Sequence, residues 1–331
     1  MNTRAIWGAL VGDACGATLE FYDDDITEEV ARRAMTMPGG GSLRVGCGQI
    51  TDDGELTLAL WSVLKERDTI YGFPLEAMAK AYAAWYASFP FDIGRTCSLA
   101  FDLLHEWVHD EKKDLIYVLR SIHEMSRLSE SNGALMRVTP IATWWVSHPL
   151  RMYGGVCVEQ TAQFAAASAE EDASLSHPGR VTRDANAVYT YAMTLLLLGC
   201  SPVETVERVE TMVRKRCAEV QRWVEESKRT WMDLSDARVL MGHVRHAFVA
   251  AFWFLRHPTI GYEEAICKTL QRGGDTDTNA AIVGGLVACY QDVPEAMKGV
   301  VAGFDCLVAG RPRPKTYGVK YQMGLASSLI L

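Results

Sequence analysis

Several things are scarce in this chain, and each scarcity excludes a class of protein. No apolar run approaches the ~20 residues of a membrane-spanning helix; residues 191–198 form only a short one. Cysteine is present nine times but never as C-x-x-C, which leaves neither a zinc ribbon nor a disulfide framework. Positive charge is the minority, 33 Lys+Arg against 41 Asp+Glu for a net −8. No dense Lys/Arg block interrupts that balance, so nucleic acid is not expected as the main partner. The first residues, Met1-Asn2-Thr3-Arg4, lead into a short apolar stretch that meets Asp13, without a signal-peptide pattern. The expectation is a cytoplasmic protein with no membrane association; its oligomeric state is not legible. Strand signals are also poor, and the absence of βαβ alternation disfavours a Rossmann fold or a barrel.

What is abundant is helical periodicity. It predicts an all-α fold, a single compact multi-helix domain over 1–331. The expected helices are 4–19, 53–66, 74–88, 97–110, 114–128, 134–147, 157–171, 181–198, 203–228, 236–256, 261–272, 277–291 and 294–308, with prolines at or near many boundaries. Residues 21–50 read as one long irregular segment, of the kind that often serves as a lid or binding loop. Gly8, Gly12 and Gly16 recur one turn apart in the first helix. Small residues at that interval admit a second backbone at close range, at about 1 kcal/mol of helix propensity each.

Three constellations carry possible chemistry. Thr51-Asp52-Asp53 stands where an irregular segment enters a helix. Asp52 with Glu55 fits a capping box, and that bland explanation alone outweighs a functional one. Gly273-Gly274-Asp275-Thr276-Asp277-Thr278 also opens a helix, but capping does not explain two acids and two hydroxyls in four positions. Together the two turns offer four carboxylates. Converging without counter-charge they would repel severely, whereas hard divalent cations prefer such oxygen ligands. The third is Ser131-Asn132-Gly133-Ala134-Leu135-Met136-Arg137, where Asn132 alone reads as an ordinary N-cap.

His105-Glu106-Trp107-Val108-His109 matches the zinc-protease pattern H-E-x-x-H, with Glu124 as a conceivable third ligand. A helical wheel places Ala100, Phe101, Leu103, Leu104, Trp107 and Val108 on one apolar arc and both histidines on the polar side, which makes a zinc metalloprotease a distant alternative. His243-x-x-His246 has no acid or cysteine close in sequence and reads as a core or surface pair. Cys200 and Cys289, in apolar helical surroundings, read as inert thiols.

Read in order, these segments resemble the ADP-ribosylglycohydrolase family. The resemblance spans nearly the whole chain. It runs from Gly8-Ala9-Leu10-Val11-Gly12-Asp13-Ala14-Cys15-Gly16 and Glu20 through Thr51-Asp52-Asp53-Gly54, Asp92-Ile93-Gly94-Arg95-Thr96, Asn132 to Arg137 and Ser176-His177-Pro178. It ends on Gly273 to Thr278, the most specific motif, followed by Ala280-Ala281-Ile282-Val283-Gly284. The resemblance implies an all-α fold with a central binuclear Mg²⁺ or Mn²⁺ site, ligated by Thr51, Asp52, Asp53, Asp275, Asp277 and Thr278. It implies Glu20, Asp92 and Asp53 as catalytic groups. Gly94, Asn132, Gly133, Ala134, His177 and Gly274 would then contact the substrate. Ser131 stands where the family often has glycine, and its side chain could narrow that loop. The implied activity is metal-dependent cleavage of the bond between ADP-ribose and its acceptor, most readily an arginine on a protein. Serine, nucleobase or metabolite linkages and a non-catalytic ADP-ribose binder are the alternatives.

Overall fold

The computed structural model describes residues 2–110, 114–152, 155–307 and 309–323. Among these the chain is almost entirely helical. The first helices are α1 (Arg4–Gly16), α2 (Glu28–Ala34), α3 (Asp52–Leu64), α4 (Leu75–Tyr86), α5 (Arg95–Val108) and α6 (Leu115–Ser126). Next come α7 (Thr139–Ser147), α8 (Val158–Ser174), α9 (Arg180–Leu197), α10 (Pro202–Val213) and α11 (Ala218–Glu226). The last are α12 (Val244–Arg256), α13 (Tyr262–Leu270), α14 (Thr276–Val287), α15 (Glu295–Gly303) and α16 (Val319–Gln322). The described sheet pairs two strands of two residues each, β1 (Arg151–Met152) antiparallel to β2 (Gly155–Val156). No described helix is long and apolar enough to cross a membrane.

The centre of the fold is the apposition of α1 and α14, both buried on nearly every face. Neither has a polar side to show to water, so each is a core helix rather than an amphipathic one. The glycine spacing does what the sequence suggested. A Cβ on Gly8 would overlap the Gly284 carbonyl, on Gly12 the Ala280 carbonyl, and on Gly16 the backbone of Asp277. Backbones this close align Asp13 on α1 with the first turn of α14. Gly12→Val is therefore expected to prise the two helices apart. Overpacking costs typically about 1–3 kcal/mol, and the expected result is a lower melting temperature, read by thermal denaturation.

Several boundaries differ from the periodicity, each for a tertiary reason. The irregular stretch 21–50 contains α2, capped by Thr27 through Val30 N–H (3.3 Å). The single helix expected over 203–228 is broken into α10 and α11. Asp184, on α9, accepts the Cys217 N–H at 2.7 Å and takes an ion pair from Arg216, so the cap of α11 comes from another helix. The helix expected from 236 starts only at Val244, because residues 242–244 pair with 130–132: Asn132 N–H donates to Gly242 O and Val244 N–H to Glu130 O. The helix expected from 134 starts at Thr139, with Pro140 in its first turn. Of the helix expected over 294–308, α15 ends at Gly303, and residue 308 lies outside the described residues.

Candidate active site

Two helix starts face one another across a cavity of about 300 Å³. Asp52 and Asp53 lie in the first turn of α3, and Asp277 and Thr278 in the first turn of α14, where the positive end of a helix favours carboxylates. Asp275 is the N-cap residue of α14 but makes no side-chain cap bond. Instead its Oδ2 accepts from Asn132 Nδ2 at 2.8 Å, which ties the 131–137 loop to the acid cluster. Asn132 is thus not the helix N-cap that its sequence setting suggested.

The capping box at Asp52 and Glu55 does not form. Thr51 is the N-cap residue, and Glu55 turns the other way, accepting from Trp85 Nε1 (2.8 Å) and from Arg313 Nε (2.8 Å). Thr51 does not cap either. Its Oγ1 lies 2.9 Å from Asp13 Oδ1 and 3.1 Å from Asp53 Oδ2, one proton between two carboxyl groups. Thr278 Oγ1 approaches the same Asp53 oxygen at 3.3 Å.

Asp13 is the residue that the sequence reading left without a role. It is fully buried and accepts from the N–H groups of Thr51 (3.0 Å) and Gly54 (2.8 Å). Its signal was present: an acid on an otherwise apolar, glycine-notched helix pays a desolvation cost that only bonded partners offset. Two sets of carboxylates have oxygens within 4.8 Å of one another, Asp13 with Asp53 and Asp277, and Glu20 with Asp92 and Asp277. Asp277 belongs to both.

Of the other residues singled out, Glu20, Asp52, Asp92, Gly94, Asn132, Gly133 and Asp275 line the same cavity, together with Phe21, Thr96, Ser131 and Met241. Thr51, Ala134, His177 and Gly274 do not reach its wall. Ala134 and His177 are completely buried, His177 behind Ser131 with Nε2 2.6 Å from Ser131 Oγ. Gly274 makes a left-handed turn (φ 77°) against the Ala237 carbonyl. His105 lies on α5 and His109 is its C-cap residue, with their rings 4.6 Å apart, and neither joins a described metal-competent cluster. His243 does have an acidic partner, unlike its sequence setting: Nε2 is 3.1 Å from Glu130 Oε2.

Burial drives the electrostatics. It pushes Asp13 up to about 7, against the hydrogen bonds from Thr51 and Gly54 that pull it down. Glu20 rises to about 9 through burial, then through Asp92, Asp275 and Asp13. Asp52, Asp53 and Asp277 stand well above the usual carboxylate range, from burial first and neighbouring acids second. Buried oxygens Glu20 Oε2, Asp53 Oδ1 and Asp275 Oδ1 have no protein partner. Orphaned oxygens converging among acids that cannot all ionise are the donor set of a hard cation, and the residues fit one.

A pH dependence follows. An acid whose folded pKa is raised holds its proton in the folded state after the unfolded chain has lost it. Its contribution to stability is complete below about pH 4 and declines as pH rises through about 7 for Asp13 and about 9 for Glu20. Chelator-treated protein is therefore expected to lose stability between pH 5 and 9, and saturating divalent cation to flatten the decline. Urea midpoints at pH 5, 7 and 9, with and without the ion, check both.

The family model described as ADP-ribosylglycohydrolase matches residues 3–313. The chain is 26% identical over 310 residues to the ADP-ribosyl-dinitrogen reductase glycohydrolase of Rhodospirillum rubrum, covering 92% of this chain and 90% of that protein. It is also 26% identical over 310 residues to a protein of Acanthamoeba polyphaga mimivirus named as a candidate ADP-ribosyl glycohydrolase, with 88% and 87% covered. A solved structure titled as an ADP-ribosylglycohydrolase-related protein complex shares the fold, with TM-score 0.67, 23% identity and 97% and 96% of the two chains covered. With nearly its whole length matched, this chain belongs to the ADP-ribosylglycohydrolase family and is a glycosidic-bond hydrolase.

Proposed function

We propose that this enzyme releases ADP-ribose from arginine side chains of modified proteins, using two divalent cations, Mg²⁺ or Mn²⁺. The observation that carries the reading is the pair of carboxylate clusters meeting at Asp277. Asp13, Asp53 and Asp277 would serve one ion, and Glu20, Asp92 and Asp277 the other, with Thr51, Asp52, Asp275 and Thr278 completing or bracing the set. When bound, such ions supply the positive charge that lets these acids ionise together, and they acidify water.

The chain's own groups account for the rest. Cleavage at the anomeric carbon passes through an oxocarbenium-like state, which carboxylates around the ribose stabilise. Glu20 and Asp92 stand on the same wall as Phe21 and Ile93. A guanidinium acceptor would meet acids there, and Asp92 is the group to hold or relay its proton. The first turn of α5, residues 95–97, also lines the cavity. Its N–H groups have no partner within the helix, and such a helix start suits a diphosphate without needing a lysine.

The test is release of ADP-ribose from an arginine-modified protein, run beside serine-, nucleobase- and metabolite-linked substrates. Release from arginine with Mg²⁺ or Mn²⁺, abolished by chelator, is expected. Binding of ADP-ribose without turnover of any substrate would select a non-catalytic binder instead. Asp92→Asn is expected to lower kcat about 10²–10⁴-fold, the usual range for loss of an acid–base group, measured under saturating ion.

A further inference from the structure

The cavity wall formed by the loop at Ser131 is backed by a buried hydrogen-bonded chain. Arg137 is completely buried, paired with Asp172 at 3.1 Å, stacked 4.6 Å over the Tyr82 ring, and donates to Gly133 O at 2.7 Å. Its Nη2 donates to Ser176 Oγ at 2.9 Å. Ser176 Oγ lies 2.9 Å from His177 Nδ1, and His177 Nε2 lies 2.6 Å from Ser131 Oγ. Ser131 is half-buried and lines the cavity.

We propose that Ser131 offers its hydroxyl proton to the cavity, fixed in that sense by the chain Arg137–Ser176–His177, and that the group it meets is an acceptor-only oxygen of the substrate's diphosphate.

The direction rests on where Ser176 places its single proton. An arginine only donates, so Ser176 must accept from Arg137. Ser176 then has one proton, and the strongest acceptor beside it is His177 Nδ1. His177 is neutral, driven down to about 3 by burial and by the nearby Arg137. A neutral imidazole that accepts at Nδ1 carries its proton on Nε2 and donates it, here to Ser131 Oγ. Ser131 has therefore filled its short contact as an acceptor, and its own proton is left over. The remaining neighbours are two hydroxyls at long range, Ser129 Oγ at 3.3 Å and Thr96 Oγ1 at 3.4 Å, themselves joined to each other at 2.8 Å. An anionic oxygen entering the cavity outcompetes bonds of that length, because charge-assisted hydrogen bonds are the stronger and shorter class. The wall thus selects oxygen that accepts and gives nothing back. His177 acts as a positioning residue, out of reach of the cavity. The identity of the oxygen rests on the ADP-ribose reading above.

The experiment measures ADP-ribose binding by calorimetry and turnover of the arginine-linked substrate for wild type, Ser131→Ala, Ser131→Gly and Ser131→Thr. Ser131→Ala is expected to weaken ADP-ribose about ten- to a hundredfold, raising KM with kcat nearly unchanged. Ser131→Gly should bind as weakly as Ser131→Ala, and Ser131→Thr should restore most of the affinity. In ¹⁵N spectra His177, assigned by its disappearance in His177→Gln, should be the neutral tautomer with its proton on Nε2. Tighter binding by Ser131→Gly would make the side chain a mere obstruction and overturn the proposal. So would a proton on Nδ1, or unchanged binding by Ser131→Ala in a setting where wild type binds. Failure of wild type itself to bind ADP-ribose would overturn the ADP-ribose reading as well.

Discussion

Asp277→Asn is expected to abolish turnover, by at least about 10³-fold in kcat/KM, and to weaken divalent-ion binding at both carboxylate clusters. The expectation rests on position. Asp277 is fully buried, and its oxygens complete both the Asp13–Asp53 group and the Glu20–Asp92 group. Were each carboxylate group to hold one ion, as proposed, losing Asp277 would damage both sites, whereas losing Asp53, which belongs to one group, would damage one. Metal titration by calorimetry should therefore show two classes of ion lost in Asp277→Asn and one in Asp53→Asn. Stability should move the opposite way. In chelator the variant replaces an acid that burial and neighbouring carboxylates hold well above its usual range by a neutral amide. It should melt at or above the temperature of chelated wild type. In saturating ion the order reverses, because only wild type gains the binding linkage, about 4 kcal/mol at a thousandfold excess over Kd. A variant that retained both ions would refute the shared role.

The second large effect is structural. Glu55→Ala is expected to lower stability by about 3–5 kcal/mol, the range for breaking a buried ion pair at one partner. It would leave Arg313, 5% exposed, with its charge uncompensated. Glu55 receives Arg313 Nε and Nη2 at 2.8–3.0 Å and Trp85 Nε1 at 2.8 Å, while Arg313 also donates to Ser88 O and Phe89 O. One bond network thereby fixes the first turn of α3, the end of α4 and the segment near 313. Since the same turn carries Asp52 and Asp53, loosening it should also raise the Kd of a bound divalent ion. Thermal denaturation should show a drop of about 4–7 °C. The double variant Glu55→Leu with Arg313→Leu should recover part of the loss, because the buried orphan charge is gone.

What was legible in the sequence was local. The two acid-rich turns are contiguous motifs at helix starts, so their character could be read without knowing what they face. The glycine spacing of α1 announced a close helix contact for the same reason. Partners distant in sequence were not readable. Glu55 has the right spacing for a capping box, but Arg313 gives it a better partner from the other end of the chain. The break between α10 and α11 has no glycine or proline to mark it, because Asp184 supplies the cap from α9. Asp13 sat inside a motif quoted for its glycines, and its buried environment became visible only with Thr51 and Gly54 bonded to it. Arg137 was a recognised motif residue without a task until Asp172, Ser176 and Gly133 were seen around it.

The glycine-mediated contact between α1 and α14 also has a temporal meaning. Asp13 and Asp277 are 264 residues apart in sequence, and contacts of such separation are among the slowest to form. A chain still emerging from the ribosome, with α1 complete and α14 not yet made, has half an ion cup and no way to close it. Competence to hydrolyse is thus acquired late, once α14 has been made and docks on α1.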